Sequence, residues 1–400
     1  MNYLILAGGT GTRLKDLTLN LPKPLIEIEN KPAILRIINQ ISLFDQDAKI
    51  YVSSYFKSSE IKKFFISNPS VEVIEEPEKL GTGGAIKFFL NKQNVKDFCL
   101  LNGDTLINFD FSYLNLEWEK VKNKYNVNAL VFLKKIYGDC SDYGTYSVEG
   151  TKVTKFKEKL KVRDALVSTG IYFFEAKSLK KELKKMPKKF SFEEKFLPLF
   201  IKNKSLCYRN LSKFDLFFDI GTPKKLRKVK ENFLELSKRP AAFFDRDNSL
   251  VHDDGYNADL KNYLVLQDAY LIMSLLKSLG FLIFIVSNQS SINRKINSKK
   301  KVIKFNEFLI KDFKKREALI TKSIFCNHTP DEKCKCRKPN TKMIEDLTKQ
   351  YNLDITKSVF LGDSMTDEKL SLKCKMDFIK LGTEEDLNNV LRFVKNLNFK

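Results

Sequence analysis

Apolar residues along this chain come in short unbroken runs, separated by longer stretches in which they recur every three or four positions. The runs at 3–7, 50–52, 98–102 and 129–133 predict buried strands, and the periodic stretches at 31–42 and 224–236 predict amphipathic helices. A further strand over 241–245 opens after Ser237-Lys238-Arg239-Pro240, where the proline ends the preceding helix. That break predicts one domain over 1–237 and a second over 238–400. The second half repeats the alternation, with a helix from about 268, a strand over 281–287, a helix after Asn297 and a strand over 358–362. No internal repeat or low-complexity linker interrupts it. The fold class expected is α/β, as two Rossmann-like domains joined directly.

Composition sharpens this picture. Four hundred residues suit two domains of ordinary size. The longest apolar run, 281–286, is too short to span a bilayer, and the start Met1-Asn2-Tyr3-Leu4 lacks the basic opening of an export signal. A cytoplasmic location with no membrane partner is the expectation. The formal net charge of +22 invites a nucleic-acid reading. Its excess is lysine spread along the whole chain, as at 180–189 and 299–304, without a basic helix carrying interleaved aromatics. The expectation is therefore a solvated surface with no nucleic-acid partner, whose field attracts polyphosphate substrates. A homo-oligomer stays open. Of the seven cysteines, Cys99, Cys140, Cys207 and Cys374 sit in apolar or mixed surroundings and read as buried thiols. Cys326, Cys334 and Cys336 crowd beside His328, one of two histidines, a clustering that points to metal.

The first strand runs into a glycine-rich turn, Gly8-Gly9-Thr10-Gly11-Thr12-Arg13. Gly8, Gly9 and Gly11 let backbone N–H groups approach a phosphate, Thr12 continues the turn, Arg13 adds a cation, and Lys23 follows within Pro22-Lys23-Pro24. An ordinary strand–turn–helix could also carry such glycines; their combination with Arg13 and Lys23 points to polyphosphate. This segment resembles the signature of the sugar-1-phosphate nucleotidyltransferases. The similarity continues through Gly81-Thr82-Gly83-Gly84, Asn102-Gly103-Asp104, Glu158-Lys159, Ser168-Thr169-Gly170 and Phe218-Asp219-Ile220-Gly221, covering about 1–235. It implies a mixed sheet of the GT-A-like type. It also implies that Gly81 and Gly83 lie against the nucleoside, that Asn102, Glu158, Lys159 and Gly170 bind substrate, and that Asp104 and Asp219 hold Mg²⁺. Arg13 would then draw charge from the leaving pyrophosphate, and Lys23 would bridge the nucleotide and sugar phosphates.

In the second half, Asp245 and Asp247 stand two apart at the end of an apolar strand, so both point to one side. One carboxylate can attack phosphorus and the other can protonate the leaving alkoxide. Ser287 and Asn288 close a second strand and offer a hydroxyl and an amide to phosphate. Arg337 and Lys338 supply cations, and Asp363 closes a third strand with Asp367 nearby. This order resembles the haloacid-dehalogenase-like phosphatases, whose parallel sheet it implies, with Asp245, Asp247 and Asp363 around Mg²⁺. The spacing of Cys326, His328, Cys334 and Cys336 before Arg337 is similar to the zinc loop of the heptose-bisphosphate and histidinol-phosphate phosphatases, and implies a closed structural Zn²⁺ site. Asn248-Ser249 and Ser364 depart from that family's usual residues.

Taken together, the two resemblances imply consecutive steps. A phosphatase removes the 7-phosphate of a heptose 1,7-bisphosphate, and a nucleotidyltransferase joins the heptose 1-phosphate to a nucleotide, GMP from GTP. Two other readings stay open: a mannose- or glucose-1-phosphate nucleotidyltransferase fused to another sugar phosphatase, and a sugar-nucleotide-binding regulatory module without turnover.

Overall fold

The computed structural model describes residues 1–11, 13, 14, 18, 21–158 and 161–397. The chain divides into two compact units, Met1–Leu211 with Asp215–Leu236, and Ser212–Phe214 with Ser237–Lys400.

In the first unit the strands are β1 (Asn2–Leu6), β2 (Glu27–Ile28), β3 (Lys31–Pro32), β4 (Lys49–Ser54), β5 (Val71–Glu75), β6 (Asp97–Asn102) and β7 (Thr105–Ile107). They continue as β8 (Ala129–Lys135), β9 (Thr145–Glu149), β10 (Lys152–Lys157), β11 (Leu166–Glu175), β12 (Leu206–Asn210) and β13 (Phe217–Asp219). One mixed nine-stranded sheet runs in the order β5-β4-β1-β6-β11-β8-β12-β10-β9. Its β5, β4, β1 and β6 are parallel, and β11 lies antiparallel between β6 and β8. Side chains alternate across the sheet and so feed two cores. Tyr3 and Ile5 pack with Ile34, Ile37 and Ile41 on one face, while Leu4 packs with Phe89 and Phe98 on the other.

The helix expected over 31–42 begins two residues later, at Ala33–Phe44, and buries Ile34, Ile37, Ile38 and Ile41. Lys31 and Pro32 instead pair with β2, because the ring of Pro32 fixes its backbone and removes its N–H. The stretch at 224–236 forms two helices, Pro223–Lys230 and Phe233–Leu236, rather than one.

The second unit holds β14 (Ala241–Phe244), β15 (Leu282–Asn288), β16 (Lys322–Cys326), β17 (Val359–Gly362) and β18 (Asp377–Lys380). They form an all-parallel sheet in the order β16-β15-β14-β17-β18. Phe243 lies between Phe284 and Phe360, with ring centroids 5.5 and 6.5 Å away. The helix Lys299–Lys315 is capped by the Ser298 hydroxyl and buries Val302, Phe305, Leu309 and Phe313, which leaves its lysines on the outer face. The chain leaves β14 toward β15 on one side and reaches β17 on the other, so the sheet's switch point lies between β14 and β17. Open parallel sheets place their sites at the carboxyl ends of such strands.

Cys99, Cys140 and Cys207 are buried. Cys374, expected with them, is half-buried, because it ends the last turn of the helix Met365–Cys374. Among the described residues, no helix is long and apolar enough to cross a membrane.

Candidate active sites

In the first unit the carboxyl ends of β1 and β6 stand side by side, with Leu6 opposite Asn102. Gly103 N–H donates to the Leu6 carbonyl at 2.9 Å, and a Cβ on Gly103 would stand 2.6 Å from that oxygen. The glycine turn after β1 and the Asn102–Asp104 turn therefore share the rim of one cavity of about 440 Å³. Its walls include Gly8, Gly9, Arg13, Lys23, Gly81, Asn102, Asp104 and Glu158. An adjoining recess of about 200 Å³ adds Gly170 and Asp219 to Arg13, Asn102, Asp104 and Glu158. Gly170 has φ +77°, and a Cβ there would meet the Asn102 amide at 2.6 Å, so the two positions are fitted to each other.

Charge gathers where the two spaces meet. The buried Lys23 ammonium donates to Asp104 Oδ2 at 2.6 Å. Asp219 and Thr105 pair across the small β7–β13 ladder, and Ile220 N–H reaches the Asp104 carbonyl at 3.2 Å, which sets the two aspartates together. Burial opposes the charge on Asp219. Hydrogen bonds from Lys225 at 2.9 Å and Gly221 N–H at 2.6 Å, with Lys23 nearby, nonetheless hold its carboxyl below the usual range. A Cβ on Gly221 would lie 2.8 Å from Asp219 Oδ1, 3.3 Å from Arg13 Nη2 and 3.4 Å from Lys23 Nζ. Carboxylate oxygens from neighbouring strands, with ammonium groups as their present counter-charges, are a donor set that suits Mg²⁺.

Two described positions named from the sequence, Gly11 and Gly83, stand apart from these walls. Gly11, at φ +66°, turns the chain against Thr18. Gly83 lies in the first turn of the helix Gly81–Lys92, with the Phe190 ring so close that a Cβ would stand 2.2 Å from it. Thr12 and Lys159 lie outside the described residues.

Two acidic residues that sequence reasoning missed complete the cavity. Glu76 is buried, and its carboxylate accepts from the Ser53 hydroxyl at 2.8 Å and from Leu80 N–H at 3.4 Å. Burial raises its pKa, with those two hydrogen bonds pulling the other way. Glu193 lines both spaces and accepts from Thr82 at 2.7 Å and from Ser191 at 3.1 Å. Neither lies in a run that stands out along the chain.

In the second unit Asp245 follows β14 and Asp363 follows β17, on either side of the switch point. Carboxylate oxygens of Asp245, Asp363 and Asp367 all lie within 4.8 Å of one another. Lys338, almost wholly buried, bridges Asp245 Oδ1 at 2.9 Å and Asp367 Oδ1 at 2.7 Å. Burial pushes the Asp245 carboxyl above the usual range; Lys338 pulls it down, and Asp367 and Asp247 add to the rise. Asp363 is also raised, chiefly by burial, with the Ser249 hydroxyl among the groups that favour its charged form. Asp367 is buried, and its Oδ2 accepts from Ser364 in a capping box, so it anchors Lys338 and a helix start together. The three-carboxylate cluster beside one ammonium fits a divalent cation of the Mg²⁺ type.

Ser287 and Asn288 are both engaged by neighbours within the fold. Ser287 is fully buried and accepts from Gln289 Nε2 at 3.3 Å. The Asn288 side chain exchanges two hydrogen bonds with the main chain of Lys338, at 3.0 and 3.2 Å, and so fixes the segment that presents that lysine. Asp247 is held by its neighbour Arg246 and by Gln289, a contact no sequence pattern announced.

Cys326, His328, Cys334 and Cys336 converge. Their sulfurs lie 3.3–3.6 Å apart, and His328 Nδ1 stands 3.5 and 3.4 Å from Cys326 and Cys336. These separations approach the edge of about 3.7 Å for a tetrahedron of thiolates around Zn²⁺ and are far too long for a disulfide. Arg337 closes the loop, its N–H on Cys334 Sγ at 3.3 Å and its Nη1 on the His328 carbonyl at 2.9 Å.

Comparison with known proteins follows the division into units. The nucleotidyl transferase family model matches residues 2–235, and the polynucleotide kinase 3 phosphatase model matches residues 240–396. A D-glycero-alpha-D-manno-heptose 1-phosphate guanylyltransferase of Aneurinibacillus thermoaerophilus is 31% identical over 58% of this chain and 97% of its own length. One of that name from Campylobacter jejuni is 34% identical over 56% of this chain and 96% of its own. In the second unit, a D-glycero-beta-D-manno-heptose-1,7-bisphosphate 7-phosphatase of Helicobacter pylori is 27% identical over 41% of this chain and 95% of its own. This chain belongs to the nucleotidyl transferase family, and carries after that domain a haloacid-dehalogenase-like phosphatase domain.

Proposed function

We propose that the chain is a bifunctional enzyme of nucleotide-activated heptose synthesis, with one working site in the cavity of the first unit and the other at the carboxylate cluster of the second. The second unit removes the 7-phosphate of D-glycero-D-manno-heptose 1,7-bisphosphate. The first transfers GMP from GTP to heptose 1-phosphate and releases pyrophosphate. The observation that carries this is the pairing itself: one chain holds both units, and each is similar over nearly its whole length to an enzyme of one of two consecutive steps. The phosphatase relative is named for the β anomer and the transferase relatives for the α. A chain that feeds its own transferase has to leave the α 1-phosphate, so the α bisphosphate is the substrate we assign.

For transfer, a 1-phosphate oxygen attacks the α-phosphorus of GTP as the bond to pyrophosphate breaks. Asp104 and Asp219 would hold Mg²⁺, which neutralises triphosphate charge when bound. Arg13 and Lys23 place two further cations beside Gly221, where charge develops on attacking and leaving oxygens. Glu76 supports guanine: a buried carboxylate accepts two neighbouring N–H groups, a pattern that guanine presents at N1 and N2 and that adenine lacks.

For hydrolysis, an Asp245 oxygen attacks the 7-phosphorus while the sugar oxygen leaves with a proton from Asp247. Water then attacks the aspartyl-phosphate, gives its proton back to Asp247, and frees Asp245 and phosphate. Asp245, Asp363 and the Asp247 carbonyl would hold Mg²⁺, and Lys338 keeps the nucleophile aimed. Zn²⁺ on Cys326, His328, Cys334 and Cys336 would serve structure alone, since four protein ligands leave no open position. The test is each α and β bisphosphate given with each of four nucleoside triphosphates, following phosphate and pyrophosphate separately. Phosphate and pyrophosphate from the α bisphosphate with GTP is the expected outcome. Pyrophosphate from hexose 1-phosphates but not from heptose 1-phosphate would reject the assignment.

A further inference from the structure

Arg246, between the two aspartates of the phosphatase site, has a fully buried side chain. Its Nε donates to Asp247 Oδ1 at 2.7 Å, and its Nη2 lies 2.6 Å from the same oxygen. The other carboxylate oxygen, Oδ2, accepts from Gln289 Nε2 at 2.6 Å, and Gln289 Oε1 accepts in turn from Arg246 Nη2 at 2.9 Å. The rest of the guanidinium is fixed by Asn306 at 3.1 Å, by the Asn257 carbonyl at 3.0 Å and by the Phe305 ring beneath it. Asp247 thus has each oxygen held by a different residue, while about a fifth of its side chain stays open to the site.

We propose that Arg246 and Gln289 are positioning residues, a closed triangle that fixes the Asp247 carboxylate in the orientation its proton transfers require. This rests on the reading of Asp247 as the acid and base of the phosphatase step. A carboxylate on a short side chain has a free χ2 torsion, and hydrogen bonds to both oxygens remove that freedom. Proton transfer needs the donor within hydrogen-bond reach of the leaving oxygen, so a loosened carboxylate loses rate without losing substrate binding.

The experiment compares kcat/KM of the full chain on two phosphates: the heptose bisphosphate, whose alkoxide must be protonated to leave, and p-nitrophenyl phosphate, whose phenolate leaves as an anion. Arg246→Met would strip several partners from a buried site and could unfold the unit, so Gln289→Met carries the test. We expect its kcat/KM to fall about 100-fold on the bisphosphate and less than about threefold on the aryl ester, the range general-acid catalysis commands, with KM nearly unchanged. Asp247→Asn runs beside it. Equal losses of Gln289→Met on both esters, or no loss, with Asp247→Asn selective for the alkyl ester, overturn the clamp. Absence of selectivity in Asp247→Asn itself overturns the acid/base reading, and the clamp with it.

Discussion

At the scale of single residues, the transferase site turns on how Asp104 and Asp219 are neutralised before substrate arrives. Each has a lysine on it, Lys23 and Lys225, at 2.6 and 2.9 Å. Asp219→Ala takes away a proposed metal ligand while Lys225 keeps its pairing with Asp142 at 2.8 Å, so the variant should lower the rate of pyrophosphate release about a thousandfold, roughly 4 kcal/mol. Lys23→Ala removes one cation among several, and we expect a loss of about tenfold to a hundredfold at saturating Mg²⁺. Near-normal release from Asp219→Ala would reduce that residue to an anchor for Lys225. Glu76 gives a test of base choice. Glu76→Gln exchanges an acceptor pair for one acceptor and one donor, so the preference for GTP over ATP should narrow about tenfold to a hundredfold. The sign of its pH dependence follows from burial. A carboxyl raised above its ordinary value stays protonated to higher pH, so KM for GTP should rise earlier on acidification in wild type than the carboxylate reference predicts. Glu76→Gln should lack that limb.

Elements decide which of these residues meet, and here the sequence was partly transparent. The strand ends were legible, because apolar runs stop where β1, β6, β14 and β17 stop, and parallel sheets gather chemistry at those ends. Gly8, Asn102, Asp245 and Asp363 could be placed from that alone. Partners that arrive from across the fold could not. Arg246, between two aspartates in the sequence, is fully buried, and Asn257, Gln289 and Asn306 come to it from three other segments. The hydrogen bonds of Asn288 to Lys338, fifty positions away, leave no local mark either. The cysteine loop was the reverse case, since its ligands lie within eleven positions of one another and spacing sufficed. Cys334→Ser should lower zinc from one per chain toward none and remove phosphatase activity with it, since Arg337 is hydrogen-bonded to Cys334 and His328 just ahead of Lys338. Elemental analysis that finds no zinc in an active wild-type protein contradicts this.

For the whole molecule, each unit owns its core and its own set of carboxylates. Asp245→Asn should therefore abolish phosphate release, by several orders of magnitude, while pyrophosphate release from supplied heptose 1-phosphate stays within about twofold of wild type. Matched loss of both activities would reveal that one site depends on the other. The small β7–β13 ladder carries a consequence of a different kind. It stands outside the nine-stranded sheet, is three residues long on each side, and joins Asp219 to the neighbourhood of Asp104. Short ladders open locally at far less cost than the sheets beside them. In mild denaturant, amide hydrogens of 105–107 and 217–219 should exchange early, and guanylyl transfer should fade while the tryptophan signal of the buried Trp118 still reports a folded domain.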